Sequence, residues 1–249
     1  ERSRSAFNFF KSDFGCRASV RARNEAVCFL GKGTPHEMPF FVRDPVGGLD
    51  EDGWNGFPVV LVTGGVHGSE AAGALAAKAI ADTWNPRRGR LIIVPAVNVR
   101  ALRAGLRGVP DSAHHTKPVD INRLFPESGE PPSTGVAHDV WLLANAIRPD
   151  LLFDLHEGWG VFTQLKDNPH DRLVGSKTFS KGSSVIASIE AVPIAEVMVQ
   201  AVNRDLPSMR KFEVIERPVA GGLAAKLAQT FRTRALVTET TKDQDVAIR

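Results

Sequence analysis

Apolar positions along this 249-residue chain follow two alternating patterns. Short apolar runs rich in β-branched residues, ended by glycine, proline or a polar residue, predict strands buried on both faces. These runs are FPVVLVTGG (57–65), RLIIVPAVN (90–98), PDLLFDLHEG (149–158) and RALVTET (234–240). Segments with helical spacing of apolar residues are SEAAGALAAKAIADTW (69–84), STGVAHDVWLLANAI (133–147), SIEAVPIAEVMVQAV (188–202) and GGLAAKLAQTFRT (221–233). The alternation predicts an α/β fold, a mostly parallel mixed sheet with helices on both faces.

Two stretches of the chain lack this alternation. Residues 1–57 contain many turn-forming residues and little helical periodicity, which predicts an N-terminal edge segment, irregular or antiparallel, within the same domain. Residues 58–249 then form the core of the fold. Residues 103–132 are polar and rich in glycine and proline, and a long loop of this kind inside a compact domain usually has a function.

Composition and charge exclude several classes of partner. The chain is 43% hydrophobic and 24% charged, as soluble globular proteins are, and no apolar run approaches the roughly 18 residues that would span a bilayer. The net charge is only +3, and the arginines are spread along the chain instead of alternating with aromatic residues. We therefore expect neither nucleic acid nor a membrane as partner, and the oligomeric state stays open.

The N-terminus and the cysteines bear on the compartment. The first 24 residues are arginine-rich and acid-poor like the end of a transit peptide, although an ordinary strand pair with surface arginines explains them better. Cys16 and Cys28 are the only cysteines, which excludes a thiolate zinc site and a disulfide framework. They could bridge in a hairpin in an oxidising compartment, but two buried thiols are expected. A cytoplasmic location is slightly favoured, with a processed organellar or exported form left open.

Polar side chains follow three of the predicted strands where each strand ends. His67 and Glu70 follow the first strand, on either side of Ser69, the expected N-cap of the first helix. His156 ends a later strand, and Glu239 ends the last. Ligands bind at the carboxyl ends of parallel strands, so these side chains should share one edge of the sheet. Two imidazoles and a carboxylate form a recurrent catalytic zinc set, and a further carboxylate can transfer protons beside it.

Four short motifs connect this pattern to a known family. GGVHGSE (64–70), INRLF (121–125), DLHEG (154–158) and VTET (237–240) occur in this order. The chain thereby resembles the zinc carboxypeptidase superfamily and, within it, the succinylglutamate desuccinylase/aspartoacylase family. The resemblance implies a zinc carboxypeptidase-like fold, with residues 58–249 as the catalytic core of a zinc hydrolase.

The same resemblance implies a role for seven residues. In NVRALRAGLR (98–107) an arginine stands nine residues after the strand-ending asparagine, as it does in the family. The implied assignments are His67, Glu70 and His156 as ligands of one Zn2+ per chain, Glu239 as the general base, Arg107 as the group that polarises the scissile carbonyl, and Asn122 with Arg123 as the site for a substrate carboxylate.

The predicted function is zinc-dependent hydrolysis, through a metal-activated water, of the amide bond in an N-acyl amino acid or a similar small-molecule or peptide substrate with a free carboxylate. A metallocarboxypeptidase and a zinc-binding protein without catalysis stay open as alternatives. A metal-free hydrolase would need a nucleophile that the sequence does not offer. The chain departs from the family by extra residues at 108–121 and contains no tyrosine, so oxyanion stabilisation is left to Arg107 and zinc.

The sequence also suggests structural or functional roles for a few other polar and aromatic residues. Asp154 shares a strand face with His156 and either orients that imidazole or is a buried structural carboxylate. Glu157 is the second choice as general base. His114 and His115 are expected to be exposed in a polar loop, because adjacent side chains diverge. Trp159 either lines the pocket or covers the end of the sheet.

Overall fold

The computed structural model describes residues 14, 16–18, 25–45, 58–109, 117–126, 128–129, 134–162 and 181–245. The strands are β1 (Arg17–Ala18), β2 (Glu25–Leu30), β3 (Met38–Arg43), β4 (Val59–Gly64), β5 (Arg90–Val94), β6 (Leu151–Gly158), β7 (Ser184–Ala187), β8 (Glu213–Glu216) and β9 (Arg234–Thr241). The helices are α1 (Ala71–Thr83), α2 (Val99–Ala104), α3 (Val136–Ile147), α4 (Val192–Val202) and α5 (Leu223–Phe231). Short 3₁₀ turns lie at Ile121–Arg123, Ile189–Ala191 and Ser208–Arg210.

The strands form one sheet in the order β1-β2-β3-β5-β4-β6-β9-β7-β8. The four central strands, β5, β4, β6 and β9, are parallel to one another. On one side β3, β2 and β1 extend the sheet as antiparallel neighbours, so the N-terminal edge is antiparallel as expected. On the other side β7 is antiparallel to β9, and β8 is parallel to β7. The predicted α/β class with a parallel centre is confirmed.

Helices cover both faces of the sheet, because alternate residues of a strand point in opposite directions. Leu61 of β4 and Leu152 of β6 pack on one face in the same cluster as apolar residues of α3 and α5. On the opposite face Val62 packs with α1, and Phe153 packs with both α1 and α4. None of the helices in the described part of the chain is long and apolar enough to cross a membrane.

Some local elements differ from the sequence-based expectation. The sequence predicts none of α2, β7 and β8, which contain only four to six residues each. The expected N-cap Ser69 is wrong, because α1 begins at Ala71 with Glu70 at the N-cap position. Glu70 makes no side-chain cap hydrogen bond there, since its carboxylate faces two histidines.

The state of the two cysteines is also corrected. Cys16 and Cys28 form a disulfide that joins the start of β1 to β2, so the expectation of two buried thiols is wrong. Arg17 pairs with Val27 in the antiparallel register, which puts the two cysteines opposite each other, with their Cα atoms 4.1 Å apart. Strand pairing, which composition alone does not reveal, brings the two sulfurs together.

Candidate functional site

Three predicted metal ligands come together at the carboxyl ends of two neighbouring strands. His67 and Glu70 lie in the turn between β4 and α1, and His156 lies near the end of β6. Because β4 and β6 are parallel neighbours, these positions meet at the same edge of the sheet. Their candidate ligand atoms all lie within 4.8 Å of one another, and all three residues are buried.

The ring nitrogens of both histidines have defined neighbours. Glu70 Oε1 is 2.9 Å from His67 Nδ1, and Glu70 Oε2 is 2.8 Å from His156 Nδ1. On the far side of each ring, His67 Nε2 lies 2.9 Å from Asp120 Oδ1, and His156 Nε2 lies 2.9 Å from Asp154 Oδ2. Both Nδ1 atoms thus converge on Glu70, while a second carboxylate holds each Nε2 from behind.

This donor set fits a zinc ion. Two imidazole nitrogens and a carboxylate oxygen are a common zinc ligand set, and a carboxylate behind each imidazole is the usual way to fix its tautomer. His67 Nδ1 lies 2.9 Å from Glu70 Oε1 without hydrogen-bond geometry, so it is one of the buried side-chain atoms, among the described residues, that have no hydrogen-bond partner. A buried polar atom without a partner needs an explanation, and coordination of a metal would supply one.

The surrounding charges favour a cation at this point. Burial alone would raise the pKa of Glu70, but its contacts with His156 and His67 hold that pKa well below its usual range. Burial likewise opposes ionisation of Asp120, yet His67 and Arg107 keep its pKa low. Burial disfavours the charged form of His156, and the carboxylates of Asp154 and Glu70 outweigh it and raise the pKa of that imidazole well above its usual value.

Glu239 lies on β9 beside the three converging residues. It is the register partner of His156 in the parallel β6–β9 pair, so the two side chains point to the same face of the sheet. Burial raises the pKa of Glu239 to about 7, with Glu70 adding to the shift and His156 and Lys181 opposing it. A carboxyl group whose pKa is near neutrality is suited to accept and return a proton.

Arg107 reaches the edge of the same cluster. Its Nη1 donates to Glu70 Oε1 at 3.1 Å, and its Nη2 and Nε donate to Asp120 Oδ2 at 3.0 and 3.2 Å. The side chain remains about half exposed. The guanidinium is therefore anchored on its protein side and open toward solvent, where a substrate would arrive.

Asn122 and Arg123 lie on the 3₁₀ turn that follows Asp120. Asn122 Oδ1 accepts a hydrogen bond from Leu223 N at the start of α5, at 2.9 Å. Arg123 is exposed, and its Nη1 donates to the carbonyl oxygen of Asn122 at 2.8 Å. Within the described part of the chain, no hydrogen bond of these two residues reaches the three candidate ligands directly, and Asp120, which accepts from Asn122 N, connects them to the cluster.

Asp120 is the residue that the sequence analysis missed. Its Oδ1 accepts from Asn122 N at 3.0 Å and faces His67, while its Oδ2 accepts from Arg107. One carboxylate thus links a candidate metal ligand to the candidate oxyanion group. Its position two residues before the asparagine–arginine pair was the available signal.

The remaining candidates have separate environments. Glu157 Oε2 accepts a hydrogen bond from Ala72 N in the first turn of α1 at 2.9 Å, and its place next to His156 on β6 directs it to the opposite face of the sheet. Trp159 is 64% exposed, and Lys242 Nζ lies 5.4 Å from its ring centroid. His114 and His115 lie outside the described residues.

Similarity to known proteins agrees with this arrangement. Residues 57–161 match the model of the succinylglutamate desuccinylase/aspartoacylase catalytic domain. Over 106 residues the chain is 33% identical to the N-alpha-acetyl-L-2,4-diaminobutyric acid deacetylase of Halomonas elongata, a match that covers 41% of this chain and 29% of the deacetylase.

Two solved structures show the same fold. The mDAP-bound D,L-carboxypeptidase Csd4 of Helicobacter pylori has a TM-score of 0.66 at 18% identity, over 83% of this chain and 50% of that one. The succinylglutamate desuccinylase/aspartoacylase of Rhodobacter sphaeroides has a TM-score of 0.55 at 21% identity, over 91% of this chain and 60% of that one. The chain spans about half the length of these solved structures and less than a third of the deacetylase. The predicted zinc carboxypeptidase-like fold is thus confirmed, and the match over residues 57–161 supports the resemblance to the succinylglutamate desuccinylase/aspartoacylase family.

Proposed function

We propose that the chain is a zinc-dependent hydrolase that cleaves the amide bond of an N-acyl amino acid or a similar substrate with a free carboxylate. The observation that carries the proposal is the convergence of two imidazole Nδ1 atoms on the Glu70 carboxylate, with Glu239 on the adjacent strand. His67, Glu70 and His156 would hold one zinc ion per chain.

Each group around the site has a distinct task in this reaction. A zinc ion held there would lower the pKa of a water molecule and polarise the substrate carbonyl. Glu239, with its pKa of about 7, would take the proton of the attacking water and deliver it to the leaving nitrogen. Arg107 would donate hydrogen bonds to the carbonyl oxygen as negative charge develops on it. Asp120 would keep that guanidinium in place.

The substrate class is argued from the asparagine–arginine pair and from the deacetylase relative. The guanidinium of Arg123 is exposed and can grip a carboxylate through two parallel hydrogen bonds. The amide NH2 of Asn122 can add a third donor, because Leu223 N occupies its oxygen. The 33% identity to an N-acetyl amino acid deacetylase favours an N-acyl amino acid over a peptide.

Metal analysis tests the proposal first. Purified protein should contain about one zinc per chain, and His67→Ala or His156→Ala should lose most of it, because each variant removes one of three ligands. His36→Ala is the matched control: His36 is also a largely buried histidine paired with a carboxylate, Asp139, but it lies on the β2–β3 connection. Full zinc retention in both ligand variants would contradict the ligand assignment.

Substrate profiling of the zinc-loaded protein tests the reaction. N-α-acetyl-L-2,4-diaminobutyrate and other N-acetyl amino acids should be hydrolysed faster than dipeptides and D,L-linked peptides. Faster release of a C-terminal amino acid from the peptides would instead identify a carboxypeptidase. Absence of turnover on all of these substrates with zinc bound would identify a binding protein without catalysis.

A further inference from the structure

Thr63, in the middle of the sheet, contacts the cluster from behind. It lies on β4, is fully buried, and stands four residues before His67. Its hydroxyl donates to Asp154 Oδ1 at 2.7 Å. Thr63 and Asp154 are register partners of the parallel β4–β6 pair, so the sheet itself holds the two side chains against each other.

Asp154 connects Thr63 to His156, because each of its two oxygens contacts one of these residues. While Oδ1 of Asp154 accepts from Thr63, Oδ2 faces His156 Nε2 at 2.9 Å. A neutral imidazole has one donor and one acceptor nitrogen. With a metal bound by His156, the Asp154 carboxylate would hold the ring proton on Nε2 and leave the lone pair of Nδ1, the atom that faces Glu70, for the metal.

The imidazole of His67 is also held by a carboxylate, but other donors orient that carboxylate. Behind His67, the Asp120 carboxylate is oriented by Asn122 N and the guanidinium of Arg107. Behind His156, Asp154 is fully buried, and the hydroxyl of Thr63 takes the place of those donors. Each orienting carboxylate thus has one oxygen on an imidazole and a donor that fixes its rotation.

We propose that Thr63 is a positioning residue that, through the Asp154 carboxylate, fixes the ring orientation and tautomer of the metal ligand His156. The proposal rests on the proposed function, because it assumes a metal at His67, Glu70 and His156. A merely structural threonine–aspartate pair would contribute to folding without changing metal affinity. The two roles therefore differ in an observable other than turnover.

The test compares Thr63→Val and Thr63→Ser by zinc competition with a chromophoric chelator. Valine keeps the β-branched shape and loses the donor, whereas serine keeps the donor. Mutation of a group that directly holds a metal ligand typically weakens metal binding by about 10- to 100-fold, and Thr63 acts one contact farther out, through Asp154. We expect about a tenfold weaker zinc affinity for Thr63→Val and restoration close to the wild-type value for Thr63→Ser.

Thr233→Val is the matched control. Thr233 is also fully buried, and its hydroxyl donates to the carbonyl oxygen of Pro149 at 2.7 Å, whereas among the described residues this side chain makes no hydrogen bond to an imidazole or its carboxylate. This variant should lower the melting temperature of the metal-free protein about as much as Thr63→Val does, with unchanged zinc affinity. Equal zinc affinity in Thr63→Val and Thr233→Val would overturn the proposal.

If Thr63→Val does not fold, Thr63→Cys replaces it, because a thiol of similar size is a weak donor; zinc affinity equal to that of Thr63→Ser would then overturn the proposal. If wild-type protein binds no zinc, or His67→Ala and His156→Ala bind it normally, the proposed function fails as well. Normal zinc binding in Thr63→Val, with loss in both histidine variants, would refute only the role of Thr63.

Discussion

Each imidazole in the cluster lies between two carboxylates. His67 has Glu70 on one side and Asp120 on the other, and His156 has Glu70 and Asp154. The shared carboxylate lies in the centre and the other two lie outside. Such an arrangement fixes the orientation of both rings before a metal arrives, so little conformational freedom remains to be lost on binding.

At the residue scale, the base assignment predicts the effect of Glu239→Gln. The amide cannot accept the proton of the attacking water, while none of the three proposed zinc ligands changes. We expect unchanged zinc content and fold, and a loss of about 100-fold or more in kcat. Steady-state kinetics of the zinc-loaded variant, with zinc content and circular dichroism, provide the measurement.

Glu157→Gln is the matched control for that experiment. Glutamine retains an oxygen that can accept from Ala72 N, so α1 should stay in place and kcat should remain within a few-fold of wild type. Wild-type turnover in Glu239→Gln together with a large loss in Glu157→Gln would transfer the role of base to Glu157.

Arg123 is predicted to determine the preference for a free carboxylate. A charge-assisted contact contributes roughly 1.5 to 3 kcal/mol, so an amidated substrate should have a kcat/KM about ten- to a hundredfold below that of the acid. Arg123→Ala should lower kcat/KM for the acid and leave the amide nearly unchanged. Arg103→Ala, which removes another exposed arginine, should preserve the preference. Equal processing of acid and amide by wild type would make Arg123 a surface residue only.

At the residue scale, the sequence predicts those site residues whose positions follow from strand geometry. The strand ends locate His67, Glu70 and His156, and the two-residue period puts Asp154 on the face of His156. Asp120 is different. It is 53 residues from His67, and the path of the loop, which has no periodic pattern, brings them together.

At the element scale, the start of α1 shows how the fold and the site share residues. Glu70 occupies the N-cap position but directs its carboxylate to the histidines, so it caps no amide of the helix with its side chain. Glu157 from β6 accepts from Ala72 N instead. A carboxylate from the neighbouring strand thus replaces the cap and also benefits from the positive end of the helix dipole.

Asn122 likewise combines a structural contact, at the start of α5, with a proposed contact to the substrate. Two substitutions separate these roles. Asn122→Asp keeps an oxygen for Leu223 N but loses the amide donor and adds a negative charge. We expect it to retain the wild-type melting temperature and to lose kcat/KM for the acidic substrate. Asn122→Ala loses both functions, with a cost of about 1 kcal/mol in the free energy of unfolding. Thermal unfolding and steady-state kinetics of both variants provide the test.

A different pattern would reject one role or the other. Normal kcat/KM in Asn122→Asp would remove Asn122 from substrate binding. Normal stability in Asn122→Ala would show that its hydrogen bond to α5 adds nothing measurable to the fold.

Most elements that the sequence predicts are long enough to show a period, although β5 has only five residues, and the six-residue β2 and β3 were expected only as part of an irregular or antiparallel edge. α1, α3, β4 and β6 have 6 to 13 residues and were all expected. β7 and β8 have four residues each, too few to display alternation, and pairing in the sheet defines them as strands. Tertiary context decides such short segments.

At the scale of the whole molecule, the sheet separates its antiparallel edge from the candidate site. The candidate ligands lie at the ends of β4 and β6, whereas the disulfide joins β1 to β2 at the outer edge. Three strand-to-strand steps of about 4.8 Å separate β2 from β4, and five separate β1 from β6, or about 14 to 24 Å. Changes at the disulfide should therefore affect stability without changing the chemistry.

Removal of the disulfide tests this separation. Cys16 and Cys28 are 12 residues apart, and closing a loop of that size stabilises a protein by about 3 kcal/mol in the chain-entropy model. The Cys16→Ser/Cys28→Ser double variant should therefore melt roughly 6 to 12 °C lower. At 25 °C it should retain the wild-type zinc content and kcat. Reduced wild type should melt like the double variant, which in turn should be insensitive to reductant. A fall in kcat or zinc content at a temperature where the variant is fully folded would show that the edge strands and the site are coupled through the sheet.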